Sequence, residues 1–341
     1  MFSRVHYDKA DSVEPNNAHR YYGIDLLRIV CAVAVILIHV CSAPIAANEN
    51  AVDEQVKENL ILFHNLLNWS VPCFYMITGY CLQKKEVCSF AYCLKHVRKF
   101  ILCLLTIGFA QALMEEIYIH RMIDVSVLLL SVGRVIEGRL WDHMWYVYSI
   151  LGIYLVMPVI HSFIRSSETN AKVLTGVLFM FSVLFPAMEP WVSLGIDLPL
   201  GDYLFYVCIG AVVAIYPLSN ISKGLAYALG VVSFAYMVMA ASDTICGYTE
   251  PTICFMAIAV FLLISSVNME NKRRITTLAK CTWGVYVLHP FFINCIIKLL
   301  KIDLLCSYPY AKLAVFAMMT IIASFGVTYA LRKIPFGRAI L

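Results

Sequence analysis

Nearly charge-free runs of about 20 residues recur from one end of this chain to the other, and they constrain its fold more than any other feature. A run of that length spans a bilayer core as a helix. In lipid every backbone polar group must be satisfied within the segment, so spanning runs of this length fold as helices. Only 14% of the 341 residues are charged, against roughly a quarter in soluble domains, and mean hydropathy is +0.77. The expected architecture is all-α, a polytopic transmembrane helical bundle. About ten spans fall near 24–42, 59–82, 100–119, 143–163, 172–190, 202–218, 224–242, 251–268, 282–300 and 310–331. Residues 1–23 then form a cytoplasmic leader, 24–331 the membrane domain and 332–341 a cytoplasmic tail, with no length left for a soluble domain.

The run from Ile29 to Val40 has no basic n-region or small-residue cleavage site, and reads as a signal anchor and first span. With the N-terminus inside, about 19 of the 26 Lys and Arg fall on the cytoplasmic side, among them Lys84, Lys85, Lys272, Arg273, Arg274, Arg332 and Lys333. The opposite loops carry Glu49, Asp53, Glu54, Glu189, Asp197, Asp202, Asp243 and Glu250. That asymmetry predicts N-in and C-in, which an even span number requires. Residues 120–142 fit no span: Val125 to Val132 is too short to cross, so an interfacial or re-entrant helix is expected, with Trp141 and Trp145 as anchors. Most cysteines lie inside apolar runs and act as small hydrophobes. Cys246 and Cys306 fall in loops and could pair.

Polar residues at membrane depth are costly and are functional candidates by default. Arg28 and His39 bracket ten apolar residues, IVCAVAVILI. Eleven positions at about 100° each make three turns, so both share one helix face about 16 Å apart along the axis. A polar stripe thus runs from a span edge to a histidine able to exchange protons near neutral pH. Further clusters are Asn68 to Tyr80, where Pro72 would free a carbonyl and Gly79 permit close packing; Lys95-His96-Val97-Arg98-Lys99; His143-Met144-Trp145-Tyr146; and Thr282 to Pro290, containing Tyr286 and His289. The basic run suits either topology-setting charge or an anion site. No histidine of these clusters has a ligand at i+3 or i+4, so no metal is assigned.

In this order, Asp25-x-x-Arg28-x10-His39, Val71-Pro72-x-Phe74-x-x-x-Thr78-Gly79-Tyr80, Lys95-x-x-Arg98, His143-x-Trp145-Tyr146 and Tyr286-x-x-His289-Pro290 resemble the acyltransferase 3 family of membrane-bound acyltransferases. Two positions depart from its pattern: Thr78 stands where Ser is commoner, and Lys95 stands where the first arginine of an R-x-x-R pair would be. Lysine keeps the charge without arginine's planar fork. The resemblance implies an O-acyltransferase of the bacterial inner membrane that modifies cell-envelope polysaccharide or lipid. It would move acetyl, or another acyl group, from cytoplasmic acetyl-CoA or another acyl-CoA to a hydroxyl of a glycan or lipid-linked sugar. Nucleic acid is not an expected partner; membrane lipid is. The resemblance puts the essential histidine on His39 and the essential arginine on Arg28, with Lys95 and Arg98 near the CoA phosphates. Tyr80, Trp145 and His289 are expected on the acceptor side. His39 would act as general base or carry the acyl group itself. A transporter or flippase for a glycan or lipid, using the stripe as its path, is the main alternative, and a scaffolding subunit a third.

Overall fold

The computed structural model describes residues 21–47, 53–189, 191, 201–240, 244–267, 273–300, 304–305 and 307–341. The leader up to residue 20, Glu49, Asp197, Asp243, Lys272 and Cys306 lie outside the described residues, and with Cys306 the proposed pairing to Cys246. Helices make up nearly all of what is described, and no strand occurs among the described residues.

In chain order the helices are α1 (Tyr22–Ala47), α2 (Glu54–Leu67), α3 (Ser70–Gln83), α4 (Phe90–Cys103), α5 (Phe109–His120), α6 (Val125–Glu137), α7 (Trp145–Ser166), α8 (Glu168–Phe179), α9 (Phe185–Met188), α10 (Gly201–Ile215), α11 (Asn220–Ala240), α12 (Pro251–Ser265), α13 (Arg273–Asn294), α14 (Pro309–Leu331) and α15 (Pro335–Ile340). One-turn π segments at Leu104–Gly108 and Met180–Leu184 fuse α4 to α5 and α8 to α9, and a third, Cys295–Leu299, extends α13.

The expected spans overlap these rods, although the helix at 282–299 is not among those long and apolar enough to cross. Seven are long and apolar enough to cross a membrane: Tyr22–Ala46, Glu54–Gln83, Phe90–His120, Trp145–Ser166, Glu168–Met188, Asn220–Ala240 and Pro309–Leu331. Tyr203–Ile215 and Pro251–Ser265 are shorter apolar helices. The outward faces are oily rather than wet: Ile221, Val231 and Met239 on α11 and Ile322 on α14 are each well over half exposed. Contiguous apolar surface of that kind is a membrane-facing surface. The protein is a helical membrane bundle.

Arg28 lies toward the start of α1 and His39 toward its other end, and they mark the two ends of the bundle. The polar caps sit where the chain turns. Asp53 accepts from Val56 N–H at 3.2 Å, Ser89 from Tyr92 N–H at 3.2 Å and Ser167 from Asn170 N–H at 3.0 Å, each an N-cap. The 120–142 stretch forms the separate short helix expected of it. Asp124 caps α6, its carboxyl held below the usual range by the Ser126 hydroxyl and the Val127 N–H, and Gly138 closes the helix at φ +72°.

Two details differ from the sequence expectation. The break in the second rod falls at Asn68-Trp69, and Pro72 lies in the first turn of α3, where a missing N–H costs little. Asn68 is spent on a clamp: its amide donates to Cys246 O at 2.9 Å, while Asn65 donates to Thr244 O and accepts from Cys246 N–H, both at 2.9 Å. The hinge between α2 and α3 thus holds the 244–250 loop.

Candidate active site

α1 is one unbroken helix across Arg28 and His39, so the two share a face as the spacing predicted. At the Arg28 end the guanidinium donates to Asp25 Oδ1 at 3.0 Å and reaches Cys81 Sγ at 3.0 Å. Asp25 is buried, so this is a partly desolvated ion pair within the first turn. Around it gather Lys84, stacked over Tyr21 and Tyr80, and Lys85 over Tyr92. Lys95 and Arg98 stand exposed on α4 at this same end, while His96 turns inward between Tyr92 and Tyr154, with ring centroids 4.7 and 5.1 Å away.

Three histidines from distant parts of the chain meet at the other end. The ring of His39 lies 4.9 Å from that of His289 and 6.3 Å from that of His143, and the last two are 5.4 Å apart. His39 Nδ1 lies 2.8 Å from Val35 O, and His289 Nδ1 lies 2.7 Å from Tyr286 O. A carbonyl only accepts, so each Nδ1 carries a proton, and in the neutral ring each Nε2 then holds the lone pair. His289 is fully buried, and its Nε2 has no protein hydrogen bond. Neither nitrogen of His143 makes a hydrogen bond of good geometry, although the Val287 backbone lies close. Tyr286 donates its hydroxyl to His143 O and so ties α13 to the start of α7. Among the described residues no three His, Cys, Asp or Glu side chains are arranged to hold a metal.

Beyond the histidines opens a vestibule of about 420 Å³, with His39 and His143 in its wall. Its polar lining comes from Glu115, Arg134, Trp141, Asn294 and Lys298. Lys298 donates to both Glu115 oxygens at 2.8 and 3.0 Å, and Trp141 Nε1 donates to the same carboxylate at 3.1 Å. Arg134 pairs with Glu116. Lys298 sits inside a π segment, and α5 follows another. A π turn shifts the helix register, so faces downstream of it cannot be read from a 3.6-residue period.

The Glu115–Lys298 pair is partly exposed, 20% and 33% by side chain, and lies between the surface and buried cases. Glu115→Gln or Lys298→Met alone should cost about 1–2 kcal/mol, and the double variant less than the sum of the two. Thermal melting in detergent checks this: additive losses would mean that the two charges are not coupled.

The sequence-derived candidates divide as follows. His39 and His289 meet, and His143 joins them. Tyr80 does not: it lies against Tyr21 and Phe261 at the Arg28 end, the side opposite to the one expected. Trp145 starts α7 beside the cluster, but its ring stacks on Tyr203 and Tyr248 at 5.0 and 5.5 Å, and Trp141 takes the vestibule wall. Glu115, Asn294 and Lys298 lie inside the expected spans 100–119 and 282–300 as polar residues at membrane depth, but outside the motif clusters singled out above.

A family model described as "Acyltransferase domain" matches residues 21–333, nearly the whole chain. No curated protein and no solved structure matches it.

Proposed function

The chain belongs to the acyltransferase 3 family and is a multi-pass membrane acyltransferase, and on that premise we propose that it moves an acyl group, acetyl first, from cytoplasmic acyl-CoA to a hydroxyl of an extracytoplasmic or lipid-linked glycan. The membrane is the bacterial inner membrane, crossed ten times, with both termini cytoplasmic. The observation that carries this reading is the placement of His39 in the floor of a polar vestibule, on the same helix face as Arg28 at the opposite, cation-rich end.

Under the positive-inside orientation the Arg28 end faces the cytoplasm. The CoA phosphates lie among Lys84, Lys85, Lys95 and Arg98, with Lys95 supplying charge without bidentate geometry. The pantetheine arm runs along α1, and about 16 Å of helix separates Arg28 from His39. The acceptor hydroxyl enters the vestibule. His39 Nε2 takes its proton as the oxygen attacks the thioester carbonyl. The C–S bond breaks, and the imidazolium returns the proton to the departing thiolate. The Nδ1–Val35 bond keeps the ring in the required tautomer throughout. Arg28 holds the donor rather than touching the reacting carbon, because it is three turns away.

Membranes containing the protein and its acceptor, given acetyl-CoA labelled in the acetyl group, should accumulate label in a glycan or lipid. Arg28→Ala should cut that rate at least tenfold, chiefly through KM for the CoA thioester. Background label with acetyl and longer acyl-CoAs alike would overturn the acyl-CoA reading. Acceptor movement without thioester consumption would put the transporter in its place.

A further inference from the structure

A single seam between α5 and the α13 rod joins three cavities. Nearest His39 lies the vestibule. Beside it a cleft of about 50 Å³ shares Glu115, Trp141, Asn294 and Lys298 with the vestibule and adds Met114 and Tyr118. Met114 then also lines a third cavity, of about 550 Å³, that continues toward the Arg28 end between α5, α13, α14 and α15. Its rim residues Phe291, Val327, Ile334 and Phe336 are all more than a third exposed, so it opens on the lipid-facing side of the bundle.

The wall of this third cavity is almost wholly apolar, with Ile107, Ala110 and Leu288 typical of it. Two polar side chains belong to it. Thr106 spends its hydroxyl on Leu102 O at 2.7 Å. Gln111 is buried, 3% exposed; its amide nitrogen donates to Val287 O at 3.1 Å, and its Oε1 has no partner. That unpaired acceptor lies one helical turn from Glu115, at the junction of the apolar and charged parts. A buried acceptor without a donor is costly unless a ligand supplies one.

We propose that this seam binds the acceptor and that the acceptor is an amphiphile, with its hydroxyl-bearing head in the vestibule against His39 and its hydrocarbon chain in the apolar cavity. The proposal rests on the acyltransferase reading and narrows its acceptor to a molecule that enters sideways from the bilayer. A donor group at the junction of head and chain, a hydroxyl or an amide N–H, satisfies Gln111 Oε1. From Glu115 to Thr106 the helix covers nine residues, about 13 Å, which is room for a chain lying along it. A chainless water-soluble glycan would fill the vestibule and leave the larger cavity unused. The seam is also distinct from the proposed donor path, which runs along α1: among the described residues none of α1 lines the cleft or the apolar cavity. Because the chain comes from lipid that is already apolar, the cavity contributes orientation more than transfer energy.

The test is photocrosslinking in nanodiscs with dodecyl glucoside bearing a diazirine midway along its chain. Wild type should be labelled on Met114, Leu288 or Phe291 in clear excess over the outward residues Val231 and Ile322. Ala110→Trp, which fills the cavity, should lower that labelling at least tenfold. The readout is binding rather than transfer, which separates this proposal from the chemistry: seam labelling with no acyl transfer by wild type would sink the enzymatic reading alone. If Ala110→Trp does not fold, competition on wild type decides the matter, with excess dodecyl glucoside displacing the label and glucose not. Labelling spread evenly over all lipid-facing residues would overturn the proposal. So would equal displacement by a hydrocarbon chain lacking a sugar head.

Discussion

His39→Ala is expected to lower acyl transfer by about 10²–10⁴-fold, the usual contribution of a positioned general base, while the protein stays folded and membrane-inserted. The fold survives because the ring is only half-buried, and its bond to Val35 O goes to a carbonyl already inside the helix ladder of α1. The chemistry fails because alanine places no proton acceptor where Nε2 stands. His39→Gln keeps most of the volume and a hydrogen-bonding end but cannot take up a proton, so it should be as inactive as alanine. The neighbouring rings of His143 and His289 differ from it. Both are buried, so removing either mixes a packing loss with any catalytic one; of the two only His143 lines the vestibule. The assay is labelled-acetyl transfer at matched protein level. More than a tenth of wild-type activity in His39→Ala would sink the assignment, and His143 would become the candidate base.

Gly79→Val and Gly210→Val should each abolish the folded protein, read as loss of the monodisperse peak in detergent chromatography. A Cβ on Gly79 would stand 1.9 Å from Val207 O, and one on Gly210 would stand 1.9 Å from Met76 O. Both obstructions are backbone, so no rotamer change relieves them, and α3 and α10 would have to separate. That contact anchors the core: the stacked rings of Tyr75 and Tyr203, 4.9 Å apart, lie one turn along from it. Small residues that let helix backbones touch are the usual basis of packing in lipid, where apolar side chains gain nothing by leaving the solvent. Gly133, Gly176 and Gly224 have open space around them, so alanine at any of these should fold normally and serves as the control. A folded Gly210→Val protein would show that α3 and α10 are not packed as described.

How much of this was legible depends on whether the signal was local. The rods were legible because hydrocarbon forces every spanning backbone to bond within its own segment, so composition alone marks them. The Arg28–His39 stripe was legible because both residues lie on one uninterrupted helix with a fixed period. The short α6 was legible from the length of its apolar run, and the family from the order of five motifs. Tyr80 was misplaced because span ends look alike in sequence, and only the packing against Tyr21 shows which end of the bundle it joins. Trp141 rather than Trp145 lines the vestibule, since the start of α7 turns the Trp145 ring onto Tyr203 and Tyr248.

The sequence by itself determined an all-helical membrane bundle, the face shared by Arg28 and His39, and the family. Tertiary structure alone decided that His143, from the turn before α7, and His289, from α13, close on His39, and that Glu115 and Lys298, 183 positions apart, wall one vestibule. The physical reason is that lipid dictates secondary structure locally, through backbone hydrogen bonds, but is indifferent to which apolar helix meets which. That choice rests on close glycine contacts, on π turns that shift helix register, and on a few buried polar pairs, none of which has a period to read.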